Sequence, residues 1–120
     1  MNIRSKTIVC DIDGTLIIHK GNILNQHLIV PEILPGVHEA LRAWETKGYT
    51  IILTTGRREC TRAQTIKQLV RAKIIYDHLI MGVSTGIRVV INDRKPDGAI
   101  ATKAMNPDRN TGLTEDTINL

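Results

Sequence analysis

The chain alternates short unbroken apolar runs with longer amphipathic stretches. The first run, Ile8 to Cys10 after Thr7, is rich in β-branched residues and predicts a strand buried on both faces. It delivers Asp11 and Asp13, followed at once by Gly14 and Thr15. From 16 to 35, two apolar runs flank Lys20-Gly21-Asn22, a turn signal that predicts a hairpin-like flap. Pro35-Gly36 then opens a helix whose apolar face is Val37, Ala40, Leu41 and Trp44, with Gly48 placed to stop it. Tyr49 to Thr55 reads as a second strand and Arg58 to Lys73 as a second helix, with Ala63, Ile66, Leu69 and Val70 as its apolar face. Tyr76 to Met81 and Ile87 to Asn92 read as the third and fourth strands, and Ala99 to Met105 as an edge strand. Residues 106–112 are turn-rich, and the tail to Leu120 is polar and expected to fray.

This order predicts a single domain over 1–120: a three-layer, Rossmann-like α/β fold with a mostly parallel sheet. The functional site is expected at the carboxyl edge of the strands. The interval at 16–35 is long enough for a short flap and too short for a cap domain. One link strains this topology. Gly82 to Gly86 is far shorter than the dozen or so residues by which parallel neighbours cross over. Either the third strand is shorter than 76–81 or the crossover is an extended segment without a helix.

Composition narrows the picture. Phe is absent and Trp44, Tyr49 and Tyr76 are the aromatics, so the core must be aliphatic. No apolar run approaches a membrane span, and Met1 to Lys6 lacks the apolar segment of a signal peptide. Cys10 and Cys60 have no partner at metal-ligand spacing and read as reduced thiols of a cytoplasmic protein. No pair among His19, His27, His38 and His78 has the spacing of a zinc site. The net charge of +4 suits an anionic substrate and equally a solvated basic surface. The basic residues are scattered and stacking aromatics nearly missing, which argues against a nucleic-acid partner while leaving a polynucleotide substrate open.

Two carboxylates at the mouth of a buried strand are costly unless something neutralises them. A divalent cation is the simplest answer, and oxygen ligands suit magnesium. The bland alternative is a solvated Asp-Gly turn.

Asp11-Ile12-Asp13-Gly14-Thr15 resembles the first motif of the haloacid dehalogenase superfamily, Asp-x-Asp-Gly-Thr. The resemblance implies that Asp11 is the nucleophile that accepts a phosphoryl group and that Asp13 is the general acid and base. It also implies a magnesium ion held by Asp11 and the Asp13 backbone carbonyl. The second strand closes in Thr55-Gly56-Arg57, similar to the second motif, which binds phosphate through a hydroxyl and backbone amides. Thr54 is the alternative by one register step. Arg57, beside this cradle, is a candidate for substrate contact. The fourth strand delivers Asp93 and Asp97, which resemble the fourth motif. Asp93 is then a direct metal ligand, and Asp97 a ligand through water or a neighbour of one. A polar turn remains the competing reading for Asp97.

The third motif departs from the pattern. Val83 stands where small capless relatives place a lysine. Arg88 falls early in the fourth strand, roughly 16 Å from Asp93 and at the wrong end of the sheet. Lys95, in the carboxyl-edge loop, is the preferred substitute. His19, Lys20 and His27 read first as polar residues of the flap.

The resemblance covers about residues 7 to 98. It implies a magnesium-dependent phosphomonoesterase acting on a small phosphorylated metabolite such as a sugar phosphate. The alternatives are a nucleotide or polynucleotide-end phosphatase and a non-catalytic domain that binds a phosphorylated ligand. A site covered only by a flap suggests that a neighbouring subunit closes it, so a homo-oligomer is expected.

Overall fold

The structure, a computed structural model, describes residues 5–22 and 24–120. A parallel sheet runs β1 (Thr7–Asp11), β2 (Thr50–Thr54) and β3 (His78–Ile80), in that spatial order. Asp11 lies in register with Thr54, and Thr54 with Ile80. The carboxyl ends of the strands therefore form one edge, as expected of an open parallel sheet.

Helices α1 (Val37–Thr46), α2 (Arg62–Arg71) and α3 (Glu115–Ile118) pack around this sheet. Ile12, Leu16, Val37, Ala40, Leu53, Leu41, Trp44 and Leu69 form the heart of an aliphatic core around one indole. The α1 face is the one its 3.6-residue periodicity predicts. No helix among the described residues is long and apolar enough to cross a membrane.

The flap is present in outline. Ile17 and Ile33 form an antiparallel bridge, Ile18 donates to the Glu32 carbonyl and Leu34 to that of Leu16. A short 3₁₀ turn over Gln26–Leu28 occupies its middle.

Four expectations need correction. Ile87–Asn92 is not a strand, and Ile87 and Ile91 are each 94% exposed. Ala99–Met105 is not a strand either. The five residues from Gly82 to Gly86 do not carry the chain across the sheet, so the apolar run finds no edge to pair with. The second helix is shorter than 58–73 and rotated. Its buried residues are Thr65, Gln68 and Leu69, whereas Val70 is 70% exposed and Ala63 is exposed. Finally, the tail is docked rather than frayed. Trp44 Nε1 donates to the Thr117 carbonyl at 3.1 Å, and Tyr49 Oη and Lys47 Nζ both reach the Leu120 carbonyl. Leu113, Thr117 and Ile118 are buried.

The tail is held in place partly by backbone packing. Gly36 has φ 78°, and a Cβ there would collide with the Leu113 carbonyl oxygen. Leu113 N–H donates to the Pro35 carbonyl at 2.8 Å. Gly36→Ala is expected to cost about 1–3 kcal/mol, through the positive φ and the forced retreat of residue 113. Urea denaturation at equilibrium checks this, and an unchanged midpoint would show that the junction yields freely.

Candidate active site

The carboxyl end of β1 closes into a tight turn. Thr15, Leu16 and Ile17 N–H groups all converge on the Ile12 carbonyl, and Gly14 N–H donates to Ile17 O at 2.7 Å. Ile12 is fully buried, which anchors the turn and leaves the two flanking acids on the sheet edge. The acids have different surroundings.

Asp11 is partly open to solvent, its side chain 41% exposed. Thr15 Oγ1 donates to its Oδ2 at 3.4 Å, and Arg88 Nη2 lies 3.8 Å from Oδ1. Burial pushes the Asp11 carboxyl above its ordinary range, partly countered by Arg88 and by the Ile12 backbone N–H.

Asp13 is held from inside. Arg57 Nε donates to its Oδ2 at 2.9 Å and Nη2 to Oδ1 at 2.8 Å, a two-pronged pair with the guanidinium only 2% exposed. Arg57 Nη1 donates to Thr65 Oγ1 at 3.2 Å and to Gln68 Oε1. Gln68 Nε2 in turn donates to the Gln26 and Ile29 carbonyls of the flap. Four of the five guanidinium N–H donors are thus engaged within the protein. Arg57 is therefore not free to contact substrate. It is a buried strut running from Asp13 through α2 to the flap.

This strut also accounts for the rotated face of α2. Thr65 and Gln68 turn inward because a buried guanidinium needs acceptors. The signal was present in the sequence as two polar residues, three apart, in step with Leu69 and Ala72. Scoring apolar residues alone passes over it.

Thr55 and Gly56 sit where the second strand ends. Thr55 is 1% exposed, and its hydroxyl accepts from the Arg57 N–H at 3.1 Å. Its carbonyl accepts from Val83 N–H, and Gly82 N–H donates to the Arg57 carbonyl. Thr54, the alternative, lies level with Asp11 in the sheet register.

Asp93, Lys95 and Asp97 are not brought to this edge as expected. Asp93 and Asp97 lie in the exposed segment. Asp93 Oδ1 accepts from Asn92 Nδ2, and Asp97 Oδ1 accepts from the Ala99 N–H, forming a local turn. Lys95 is exposed, with its backbone N–H bonded to the Ala99 carbonyl. Among the described residues, no group of three or more His, Cys, Asp or Glu is placed to hold a metal. Arg88, assigned to the wrong end of the sheet, is the cation beside Asp11, because the strand used to place it does not form.

On the flap, Lys20 pairs with Glu32 at 3.4 Å, and His19 Nε2 lies 3.1 Å from Gln26 Nε2. Beneath it lies a small crevice lined by Asp13, Lys20, Gln26, Ile29, Arg57 and Gln68.

Known structures share this fold. A chain of a Pnkp1/Rnl/Hen1 complex matches with 28% identity and a TM-score of 0.59, over 71% of this chain and 30% of that one. A second, described as the Pnkp1/Rnl/Hen1 RNA repair complex, matches with 28% identity and a TM-score of 0.58, over 70% of this chain and 28% of that one. The chain thus spans under a third of the length of those relatives. A Vibrio cholerae protein shares the fold at 20% identity and a TM-score of 0.56, over 71% of this chain and 79% of its own. No curated protein sequence matches. The family described as PITM 1-3, LNS2 domain, matches residues 8–96, from the first strand through the acid-bearing segment. The chain belongs to this LNS2 domain family, a haloacid-dehalogenase-like phosphatase family.

Proposed function

We propose that the chain is a phosphomonoesterase that works through an aspartyl-phosphate on Asp11. The observation that carries this reading is the contrast between the two acids at the end of β1. Asp11 is open to solvent on one side with a cation nearby, as a nucleophile must be. Asp13, two residues further on, is fixed by Arg57. In the proposed reaction an Asp11 oxygen bonds to phosphorus as the bond to the leaving alcohol breaks. Asp13, first protonated from solvent on an oxygen released by Arg57, hands that proton to the alcohol, then takes one from the water that hydrolyses the intermediate. To do so it must release one of its two bonds to Arg57. Thr55 and Gly56 belong to the proposed phosphate cradle, and Arg88 takes the charge-offsetting part expected of Lys95.

The proposed cation is magnesium, which suits carboxylate donors. Among the described residues, Asp11 and Asp13 are the acids at the strand end, and Asp93 and Asp97 stand apart. Magnesium usually keeps several waters and takes one or two carboxylates with substrate phosphate, so Asp11 and the Asp13 carbonyl are the protein groups that would hold it.

For the substrate, the leading reading is a small phosphorylated metabolite such as a sugar phosphate. A polynucleotide end is the second, favoured by the 28% identity to chains of the Pnkp1-containing complexes and by the net charge of +4. Phosphate release from a panel of sugar phosphates, nucleotides and phosphorylated oligonucleotides, with and without magnesium, sorts these classes. Metal-dependent turnover of one class is expected. Silence across the panel, with phosphate esters still bound, would replace the enzyme by a domain that only binds phosphorylated ligands.

A further inference from the structure

We propose that Gln68 of α2 is a specificity-determining residue of this site: its side-chain amide latches the flap over Asp13 and so restricts the reaction to phosphomonoesters of small alcohols. The selection among esters rests on the phosphatase reading, whereas the latch does not.

The amide is buried and used at both ends. Gln68 is 7% exposed. Its Oε1 accepts from Arg57 Nη1, and its Nε2 donates to the Gln26 carbonyl at 3.0 Å and to the Ile29 carbonyl at 2.5 Å. These two carbonyls bracket the 3₁₀ turn in the middle of the flap. A guanidinium only donates and a carbonyl only accepts, so the group between them needs an acceptor at one end and two donors at the other. A primary amide meets that need. Among the described residues, no other hydrogen bond links the flap to α2 or to Arg57. The bonds from Ile18 to Glu32 and from Leu34 to Leu16 join the two sides of the flap at its base. The seating of its middle on α2 therefore depends on one side chain.

What the latch closes is the space beside Asp13. The crevice between Asp13 and the flap's Ile29, Val30 and Pro31 has a volume of about 10 Å³, room for a single water molecule. In the proposed reaction Asp13 passes a proton to the leaving alcohol, so that alcohol must come within hydrogen-bond reach of Asp13. Its substituents then meet the flap. A small alcohol displaces the flap little, whereas a bulky one must break both bonds from Gln68 Nε2. Only the bulky ester loses those buried bonds, which makes the latch a filter on the size of the leaving group.

Gln68→Glu tests this. It keeps an acceptor for Arg57 and puts an oxygen where the flap carbonyls need a donor. Thr65→Val is the comparator, because it removes another acceptor of Arg57 and leaves the latch in place. Hydrogen exchange of the amides of residues 24–34 is expected to rise about tenfold in Gln68→Glu and to stay at the wild-type rate in Thr65→Val. The second readout is kcat/KM for glycerol 3-phosphate and for a nucleoside 5′-monophosphate, whose leaving groups are primary alcohols of different bulk. The wild type is expected to favour glycerol 3-phosphate. Gln68→Glu should narrow that preference about tenfold, and Thr65→Val should keep it. Unchanged exchange in Gln68→Glu overturns the latch. Faster exchange with an unchanged preference, or an equal loss on both esters, makes Gln68 a purely structural residue and overturns the selection. A wild type silent on both esters removes the phosphatase reading and the selection with it, while the exchange rates still decide the latch.

Discussion

Asp11→Asn is expected to lower phosphate release by at least about a thousandfold while raising the melting temperature at neutral pH. Loss of a covalent nucleophile leaves only binding and charge stabilisation, and such losses are of this order or larger. The stability gain has a different source. Burial holds the folded Asp11 carboxyl above its ordinary range, so the folded protein binds that proton more tightly than the unfolded chain does. Below the unfolded value both states are protonated and nothing is lost. As pH rises through the unfolded and then the folded value, the folded state is penalised, and at neutral pH the penalty is complete. Asparagine never carries the charge. The variant should therefore melt above wild type at pH 7, and the difference should vanish in acid below the ordinary Asp value of about 3.9. Paired melts across pH check the sign. A variant that melts lower at pH 7 would show that Arg88 and the Ile12 N–H outweigh the burial.

Arg57→Leu is expected to cost roughly 3–5 kcal/mol, because it strands a buried partner charge. In a chain of 120 residues that corresponds to a fall of on the order of 10–20 °C in Tm. The Asp13 side chain is only 10% exposed, and its two oxygens would lose both guanidinium bonds. Thr65 and Gln68 would lose their donor as well. Arg57→Lys keeps the charge but not the fork, so it should recover part of the loss and none of the two-pronged geometry. Arg57→Leu with Asp13→Leu should be less damaging than Arg57→Leu alone, since no unpaired charge remains. Equilibrium denaturation of the set decides the matter. A single variant within about 0.5 kcal/mol of wild type would mean that the pair contributes little more than a surface contact.

Local pattern made much of the scaffold legible. The runs at 7–11 and 50–54 are short, apolar and β-branched, and both become parallel strands. Trp44 falls in step with Val37, Ala40 and Leu41 and is buried with them. The misplaced parts share a physical cause. Strand propensity at 87–92 is satisfied only by an available edge, and chain length rather than side chains decides whether one can be reached. The inward face of α2 is set by an arginine outside the helix, so the helix's own periodicity could not disclose it. The tail looks polar because Thr114, Glu115, Asp116 and Asn119 face out, while Leu113, Thr117 and Ile118 are buried. Of the candidate site, the two acids at the end of β1 and Thr55 occupy one sheet edge. The grouping of Asp93 and Asp97 with them depended on a strand at 87–92 that does not form.

The contact between Trp44 and the last helix gives the molecule an internal optical probe. Trp44 is the sole tryptophan, and its indole N–H is bonded to the Thr117 carbonyl inside the core. Detachment of the 113–120 segment would wet that ring without touching the sheet, shifting its emission to the red. Fluorescence on this protein therefore reports the seating of one short segment, and circular dichroism the rest. A red shift that precedes the loss of secondary structure would separate the undocking of that segment from the melting of the sheet.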